Sequence, residues 1–210
     1  DVTGVQTCAL PILSFNNHIC KICKKTSQQV RVVTRLPKLI PTNAKLALYK
    51  AAILPHMTYC STVWHFCKCT DTHKLEHIQE CALRAIYRDW YISYEQLLKW
   101  VNLPTLRNRR LLDITIIMYK VKYDICPTYI SDLFVKNQSK YNLRIKEFEI
   151  PRFNTINYGK NSVRYIASVL WAKLPEYLRN SPSLSSFKGS VRKLNLEDII
   201  RKDCYCSFCK

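Results

Sequence analysis

The side chains best suited to metal binding lie near the end of the sequence, in a cysteine-rich tail. Cys204, Cys206 and Cys209 form the pattern C-x-C-x-x-C. Thiolates are preferred zinc ligands, but a closed structural zinc site needs four ligands and this tail supplies three. A fourth would come from elsewhere in the fold or from residues after Lys210. We therefore favour free thiols in the tail and keep a zinc site as the alternative.

Two further groups of histidines and cysteines have less regular spacing. The larger has the order H-x-C-x-C-x3-H-x3-H and consists of His65, Cys67, Cys69, His73 and His77. This order fits none of the standard zinc-finger spacings, so we interpret it as a polar connection. The smaller group, His18, Cys20 and Cys23, lies on a helical pattern and is interpreted as structural.

The strongest feature of the composition is its positive charge. The chain has 33 Lys and Arg residues against 15 Asp and Glu, a formal net charge of +18. Side chains that neutralise phosphates release condensed counterions, so a surplus of this size favours polyanionic partners. Because the basic residues recur in clusters and alternate with aromatic ones, we favour nucleic acid over a merely soluble basic surface.

Two basic clusters are the predicted contacts to a sugar–phosphate backbone. The first lies on the first predicted helix and its exit, and the second lies where a later helix starts. A helix N-terminus disfavours cations, which indicates a reason beyond helix stability for the second cluster. The alternative is a solvated charged face with ion pairs. The predicted residues are Lys24, Lys25, Arg31, Arg35 and Lys38 in the first cluster, and Arg107, Arg109 and Arg110 in the second.

Five aromatic residues lie close together among basic ones in the middle of the chain. They are Tyr87, Trp90, Tyr91, Tyr94 and Trp100. Aromatic rings stack on unpaired bases in proteins that bind single strands. They also dominate the burial of apolar surface in helical cores. We expect core packing for this group, with a stacking platform as the alternative.

The spacing of apolar residues predicts a mainly α fold. Apolar positions three and four apart predict helices over 18–36 and from Asp71 or Thr72 onward, and a capping-box pattern at Ser93–Gln96 starts another. Residues 141–150 alternate in hydrophobicity, as a short strand does. We therefore expect a helical bundle, then further helices and a small mixed C-terminal portion with one or two short strands.

The remaining composition limits the class of protein. Hydrophobic residues make up 48% of the chain and aromatic residues 11%, enough for a packed core. No run of about 18 uncharged apolar residues occurs, so we expect no membrane partner. The chain has 11 cysteines and no secretory signal, from which we expect reduced thiols and an intracellular location, nuclear or cytoplasmic.

The first residues, DVTGVQTCALPI, have neither a helical nor a strand period. Val2 to Ile12 can be back-translated to a nucleotide string that resembles a widely used short-read sequencing adapter. We therefore interpret residues 1–12 as an adapter-derived artefact and exclude them from reasoning about the fold. We expect the genuine chain to start at about Leu13, with its own N-terminal part missing.

Several ordered blocks carry a family likeness. They include LYKAAILPHMTYCSTVWHF, KLEHIQECALRAIY, SYEQLL, LPTLRNRRLLD and MYKVK, and then CPTYISDLF, YNLR, IPRFNTINYGKNSVRYIASVLWAKLP and LSSFKGSVRKLNL. Together they resemble the region downstream of the polymerase core in LINE-type (non-LTR) retrotransposon reverse transcriptases, most of all the Jockey-like group. The likeness covers roughly Ser14 to Cys209.

The resemblance implies a thumb-like helical domain and a C-terminal domain from an element-encoded RNA-directed DNA polymerase. We accordingly divide the genuine chain into a thumb-like helical region at 13–70, a second helical region at 71–135 and a mixed C-terminal region with the Cys-rich tail at 136–210. The implied partners are the element's RNA, its target DNA and the polymerase palm.

One departure from the family concerns catalysis. Reverse transcriptases transfer nucleotides with two magnesium ions held by palm aspartates, including an adjacent pair. No two aspartates are adjacent anywhere in this sequence. We therefore expect the magnesium site in a missing palm upstream, no catalytic residue here and no cofactor in this fragment, with zinc at the tail as the exception considered above.

These observations predict a non-catalytic fragment of a retrotransposon reverse transcriptase that binds RNA or DNA backbones through basic helices. Two alternatives stay open. One is a stand-alone helical interaction or zinc-binding module derived from such an element, and the other is a translated relic with no cellular role.

Overall fold

The computed structural model describes residues 15–37, 39–137, 147–154 and 159–201. This part of the chain is mainly helical, which confirms the predicted fold class. None of the helices in it is long and apolar enough to cross a membrane. In chain order the elements are α1 (Asn16–Arg35), α2 (Thr42–Leu48), a π-helical turn (Tyr49–Ile53), α3 (Leu54–Thr58), α4 (Cys69–Tyr87), α5 (Tyr94–Val101), α6 (Leu106–Lys122), α7 (Thr128–Ser131), α8 (Val163–Lys173), α9 (Glu176–Arg179), α10 (Leu184–Val191) and α11 (Leu196–Arg201).

Helix α1 buries one stripe of side chains and packs it mainly against α4. Its buried residues are Ile19, Thr26, Val30 and Val33, at the three- and four-residue spacing that the sequence predicts. The hydroxyl of Thr26 donates to the carbonyl of Ile22 at 2.8 Å, which satisfies the one polar group in the stripe. The stripe therefore fixes the rotation of α1 about its own axis.

Side-chain caps start two of the central helices. Ser93 Oγ accepts the backbone N–H of Gln96, which confirms the predicted capping pattern, and Thr105 Oγ1 accepts that of Asn108 at 3.0 Å. The predicted start of α4 is wrong by a few residues, since the helix begins at Cys69. Asp71 does not cap it because its carboxylate is buried and pairs with Lys74 Nζ at 2.9 Å.

The predicted short strands are not present among the described residues. Lys136 and Phe148 form an isolated antiparallel bridge, flanked by a hydrogen bond from the N–H of Glu149 to the carbonyl of Val135 at 2.9 Å. Most of the segment predicted as a strand, residues 141–146, lies outside the described residues. The C-terminal portion that the structure describes is held together by helices.

Two main clusters of buried apolar residues form the core, and α6 contributes to both. The N-terminal cluster runs from Ile19 to Leu106, and the C-terminal cluster runs from Leu111 to Leu196. Asn108 ties the first turns of α6 to the C-terminal cluster, since its Oδ1 accepts the N–H of Leu196 at 2.9 Å. The division between the clusters falls within α6, whereas the boundaries predicted near 70 and 135 each fall inside one cluster.

A chain of hydrogen bonds through Gln79 connects four segments of the N-terminal half. Tyr49 Oη donates to Gln79 Oε1 at 2.9 Å, and Gln79 Nε2 donates to Tyr94 Oη at 3.0 Å and to the carbonyl of Pro104 at 3.2 Å. Tyr94 Oη in turn donates to Glu76 Oε2 at 2.8 Å. Burial raises the pKa of both phenols, and the negative charge of Glu76 adds to this effect. Both tyrosines therefore stay protonated donors.

We predict that Gln79→Leu lowers the free energy of unfolding by about 1–3 kcal/mol, because it leaves the buried Tyr49 hydroxyl without its acceptor. Urea unfolding at neutral pH measures the change. Gln28→Leu, at an exposed position of α1, is the matched control and should change stability by no more than about 0.5 kcal/mol. Equal stability of the Gln79 variant and the wild type would contradict the role of this network.

Candidate nucleic-acid interface

The outer face of α1 is the most continuous cationic surface that the predicted residues form. Burial of the opposite stripe leaves five basic side chains exposed along the helix: Lys21, Lys24, Lys25, Arg31 and Arg35. Lys21 and Arg35 are about 21 Å apart along the axis at 1.5 Å rise per residue. The 20-residue helix contains no Asp or Glu, so no acidic side chain of α1 neutralises this surface. We call these five residues the α1 cationic face.

A groove lies beside the N-terminal half of the α1 cationic face. It has a volume of about 270 Å³. Lys21 and Lys25 belong both to the groove and to the cationic face, and Tyr59, 74% exposed, stands on the opposite wall. The full lining is His18, Lys21, Ile22, Lys25, His56 and Tyr59.

A second cavity of about 360 Å³ lies near the C-terminal end of α1. Lys45 and Arg88 are among its lining residues. Arg88 Nη2 donates to the carbonyl of Leu36, the residue that follows α1, at 3.4 Å. Arg88 therefore brings an exposed cation to this cavity, whereas Lys45 is only 4% exposed.

The structure separates the residues of the second predicted cluster. Arg110 is only 1% exposed, and its guanidinium carbon lies 5.3 Å from the centroid of the Trp64 ring. Burial lowers its pKa, and Nε and Nη1 have no hydrogen-bond partner among the described residues. The prediction of Arg110 as a phosphate contact is therefore corrected, because its side chain does not reach the surface. Arg107 and Arg109 are half-buried, and Lys38 of the first cluster lies outside the described residues.

The expectation of core packing is wrong for three of the five central aromatic residues. Trp90 and Trp100 are each 63% exposed, and Tyr91 is fully exposed. Helix α5 buries Leu97, Leu98 and Val101, and Trp100 lies off that face. Among the others, Tyr94 belongs to the Gln79 network and Tyr87 is half-buried. Trp64 and Trp171, which are not part of that group, are buried in the two core clusters.

The predicted metal candidates do not assemble in the part of the chain that the structure describes, which contains no group of three or more potential ligands. Cys67 Sγ lies 3.4 Å from Thr72 Oγ1, whereas His73 and His77 are exposed on α4. His18 packs its ring against Trp64, with centroids 6.3 Å apart. Cys204, Cys206 and Cys209 lie outside the described residues, so free thiols in the tail stay the prediction and a zinc site its alternative.

Sequence reasoning missed part of this surface. Lys21 could have been predicted from the sequence, because His18, Lys21 and Lys25 are spaced three and four residues apart and so share one face of α1. The positions of His56 and Tyr59 beside α1 could not have been predicted from the sequence, because they depend on how α3 packs. Arg88 was missed as well, because its place beside the end of α1 depends on how α4 packs against α1.

His65 provides a pH-dependent test of the core beneath this surface. Its ring Nδ1 is buried without a partner among the described residues. Burial lowers the pKa of His65 to about 3, and the charges of Arg110 and Arg107 act in the same direction. The unfolded chain binds a proton near the ordinary pKa of about 6.5, while the folded chain does not. Stability is therefore unaffected above that pH and is lost as the pH falls toward 3.

We predict that His65→Gln makes the free energy of unfolding fall less steeply as the pH is lowered from about 6.5 to about 4. His65 contributes at most about 1.4 kcal/mol per pH unit to that fall. Urea unfolding at several pH values measures the slope. His73→Gln, at an exposed position of α4, should leave the slope unchanged. A wild-type slope in the His65 variant would show that this ring is protonated in the folded state.

The α1 cationic face and the groove beside it thus bring together five exposed cations of a single helix. Arg107 and Arg109, which are half-buried at the start of α6, line neither of the two cavities. A comparison of the chain with protein-family models, curated proteins and solved structures finds no match.

Proposed function

We propose that this chain is the non-catalytic C-terminal part of a retrotransposon RNA-directed DNA polymerase and that it binds the backbone of template RNA or target DNA. The observation that carries the proposal is the α1 cationic face, which joins five exposed cations on a helix without acidic residues. The family resemblance of the sequence blocks supplies the identity of the parent protein.

Backbone binding suits these side chains. Phosphate contacts position a nucleic acid without reading its sequence, and Lys and Arg make most of them. The face is about 21 Å long, which matches roughly six base pairs at 3.4 Å each. If each of the five cations neutralises one phosphate of a duplex, the logarithm of affinity should fall with the logarithm of salt concentration with a slope of about −4 to −5.

A helical interaction module is the second candidate, and one observation favours it. The segment that follows α6 exposes several large apolar side chains, which a partner protein would bury. They are Tyr123, Ile125, Tyr129, Leu133 and Val135, between 40% and 70% exposed. Such binding would depend little on salt, because it rests on apolar contact.

We predict that the triple variant Lys24→Gln, Lys25→Gln and Arg31→Gln weakens duplex binding and makes the salt slope shallower by about 2–3, since each lost phosphate contact removes about 0.9. Fluorescence anisotropy with a labelled duplex at several salt concentrations measures both quantities. Lys193→Gln, which removes an exposed cation near the C-terminal cluster, should leave the slope within experimental error of wild type. A flat salt dependence of the wild-type chain would contradict the proposal.

We also predict that the purified chain does not extend a primer on an RNA template with magnesium present, because the sequence has no adjacent aspartates to hold two ions. A labelled primer resolved on a denaturing gel reports the result, with an active reverse transcriptase as positive control. Measurable extension would overturn the non-catalytic assignment. In parallel, the reading frame upstream of Leu13 should encode a palm with paired aspartates.

A further inference from the structure

The groove beside α1 combines cations with an exposed aromatic ring. Lys21 and Lys25 lie one turn apart on α1, with His18 a further turn toward the N-terminus, so their side chains share one wall. His56 of α3 and Tyr59, which follows α3, form the other wall. None of the six lining residues is acidic. The groove therefore suits a ligand with both negative charge and a flat apolar face.

The backbone that carries Tyr59 is fixed by the core. The carbonyl of Tyr59 accepts Trp64 Nε1–H at 3.1 Å, and its N–H donates to the carbonyl of Pro55 at 2.9 Å. Trp64 is 1% exposed and also packs against the ring of His18 on the opposite wall. One buried indole thus contacts residues of both walls, while 74% of Tyr59 faces solvent. The backbone of Tyr59 is thus held in place beside the groove while its ring is open to a ligand.

We propose that this groove binds one unpaired nucleotide of a single-stranded RNA or DNA. The base stacks on the ring of Tyr59, and Lys21 and Lys25 bind the phosphates on either side of that nucleotide. The rest of the strand then follows the α1 cationic face toward Arg35. This inference rests on the proposed function and adds to it the strand type that the surface prefers.

Size and chemistry both support a single unpaired nucleotide. The volume of about 270 Å³ is below the roughly 300–1,000 Å³ of sites for drug-sized ligands, so a large cofactor does not fit. A paired base is stacked within its duplex and cannot offer a face to Tyr59, whereas an unpaired base can. A single exposed tyrosine needs no explanation by itself. This one shares a cavity with two lysines that belong to the backbone-binding face.

The test compares Tyr59→Ala, Tyr59→Phe and Tyr177→Ala. Tyr177 is 70% exposed on α9 and does not line the groove. Tyr177→Ala is therefore the matched control, because it also removes an exposed tyrosine ring. Fluorescence anisotropy is measured with a short single-stranded oligonucleotide and with a blunt duplex of the same sequence. Single strands of RNA and of DNA are used in separate arms, and a preference between them identifies the natural strand. Thermal unfolding confirms that each variant folds.

We expect Tyr59→Ala to weaken single-strand binding by roughly 5- to 150-fold, the range for loss of one stacked base, and to change duplex binding less than about twofold. Tyr59→Phe should retain single-strand affinity, because it keeps the ring. Tyr177→Ala should bind both ligands as the wild type does.

Three outcomes overturn the inference in distinguishable ways. If Tyr59→Ala binds the single strand as tightly as Tyr177→Ala does, while wild-type duplex binding stays salt-dependent, the groove assignment fails and the proposed function stands. If the wild type binds neither ligand, both fail. An equal loss of duplex affinity in Tyr59→Ala would also refute stacking on an unpaired base, because a duplex offers none to this ring.

Discussion

The burial of one face of α1 against α4 is the constraint on which the basic surface depends. The two helices run in the same direction. Their C-terminal ends lie together, because Arg88, which follows α4, donates a hydrogen bond to the carbonyl of Leu36, which follows α1. Toward their N-terminal ends, Asp71 of α4 is close enough to Cys23 of α1 for its charge to add to the raised pKa of the thiol, of which burial is the main cause. A 20-residue helix held along its whole length cannot rotate without exposing its apolar stripe. Its cations must therefore all face solvent together.

Trp64 connects this surface to the interior. Its indole N–H fixes the backbone of Tyr59, and its ring packs against His18 and beneath the guanidinium of Arg110. A buried guanidinium is costly when two of its nitrogens have no partner among the described residues, and the contact with the π face of the indole offsets part of that cost. The same charge helps keep His65 neutral. One buried side chain thus contacts two of the residues that line the groove, so we expect a substitution of Trp64 to disturb the groove as well as the core.

Single-helix features were predictable from the sequence, and features made by several helices were not. The stripe of α1 and the cap at Ser93 follow from spacing within a few residues. The burial of Arg110 does not follow from such spacing. Helix α6 lies between two core clusters and buries residues on more than one side, so its apolar period cannot show which side is exposed. The predicted burial of Trp90 and Trp100 is wrong for a similar reason. An aromatic ring is buried only where a neighbouring element covers it, and the sequence does not show which element does so.

The α1 cationic face and the groove make different physical demands on the nucleic acid that we propose as the ligand, and a flexible single strand meets both. The cationic face attracts any polyanion, because it offers charge without a fixed hydrogen-bond pattern. The groove adds a ring whose backbone is held in place, and stacking requires a base that is free to turn out of its helix. A duplex satisfies the charge alone, and a small aromatic molecule satisfies the ring alone. A chain of phosphates that carries an unpaired base satisfies the two together, since Lys21 and Lys25 belong to both features.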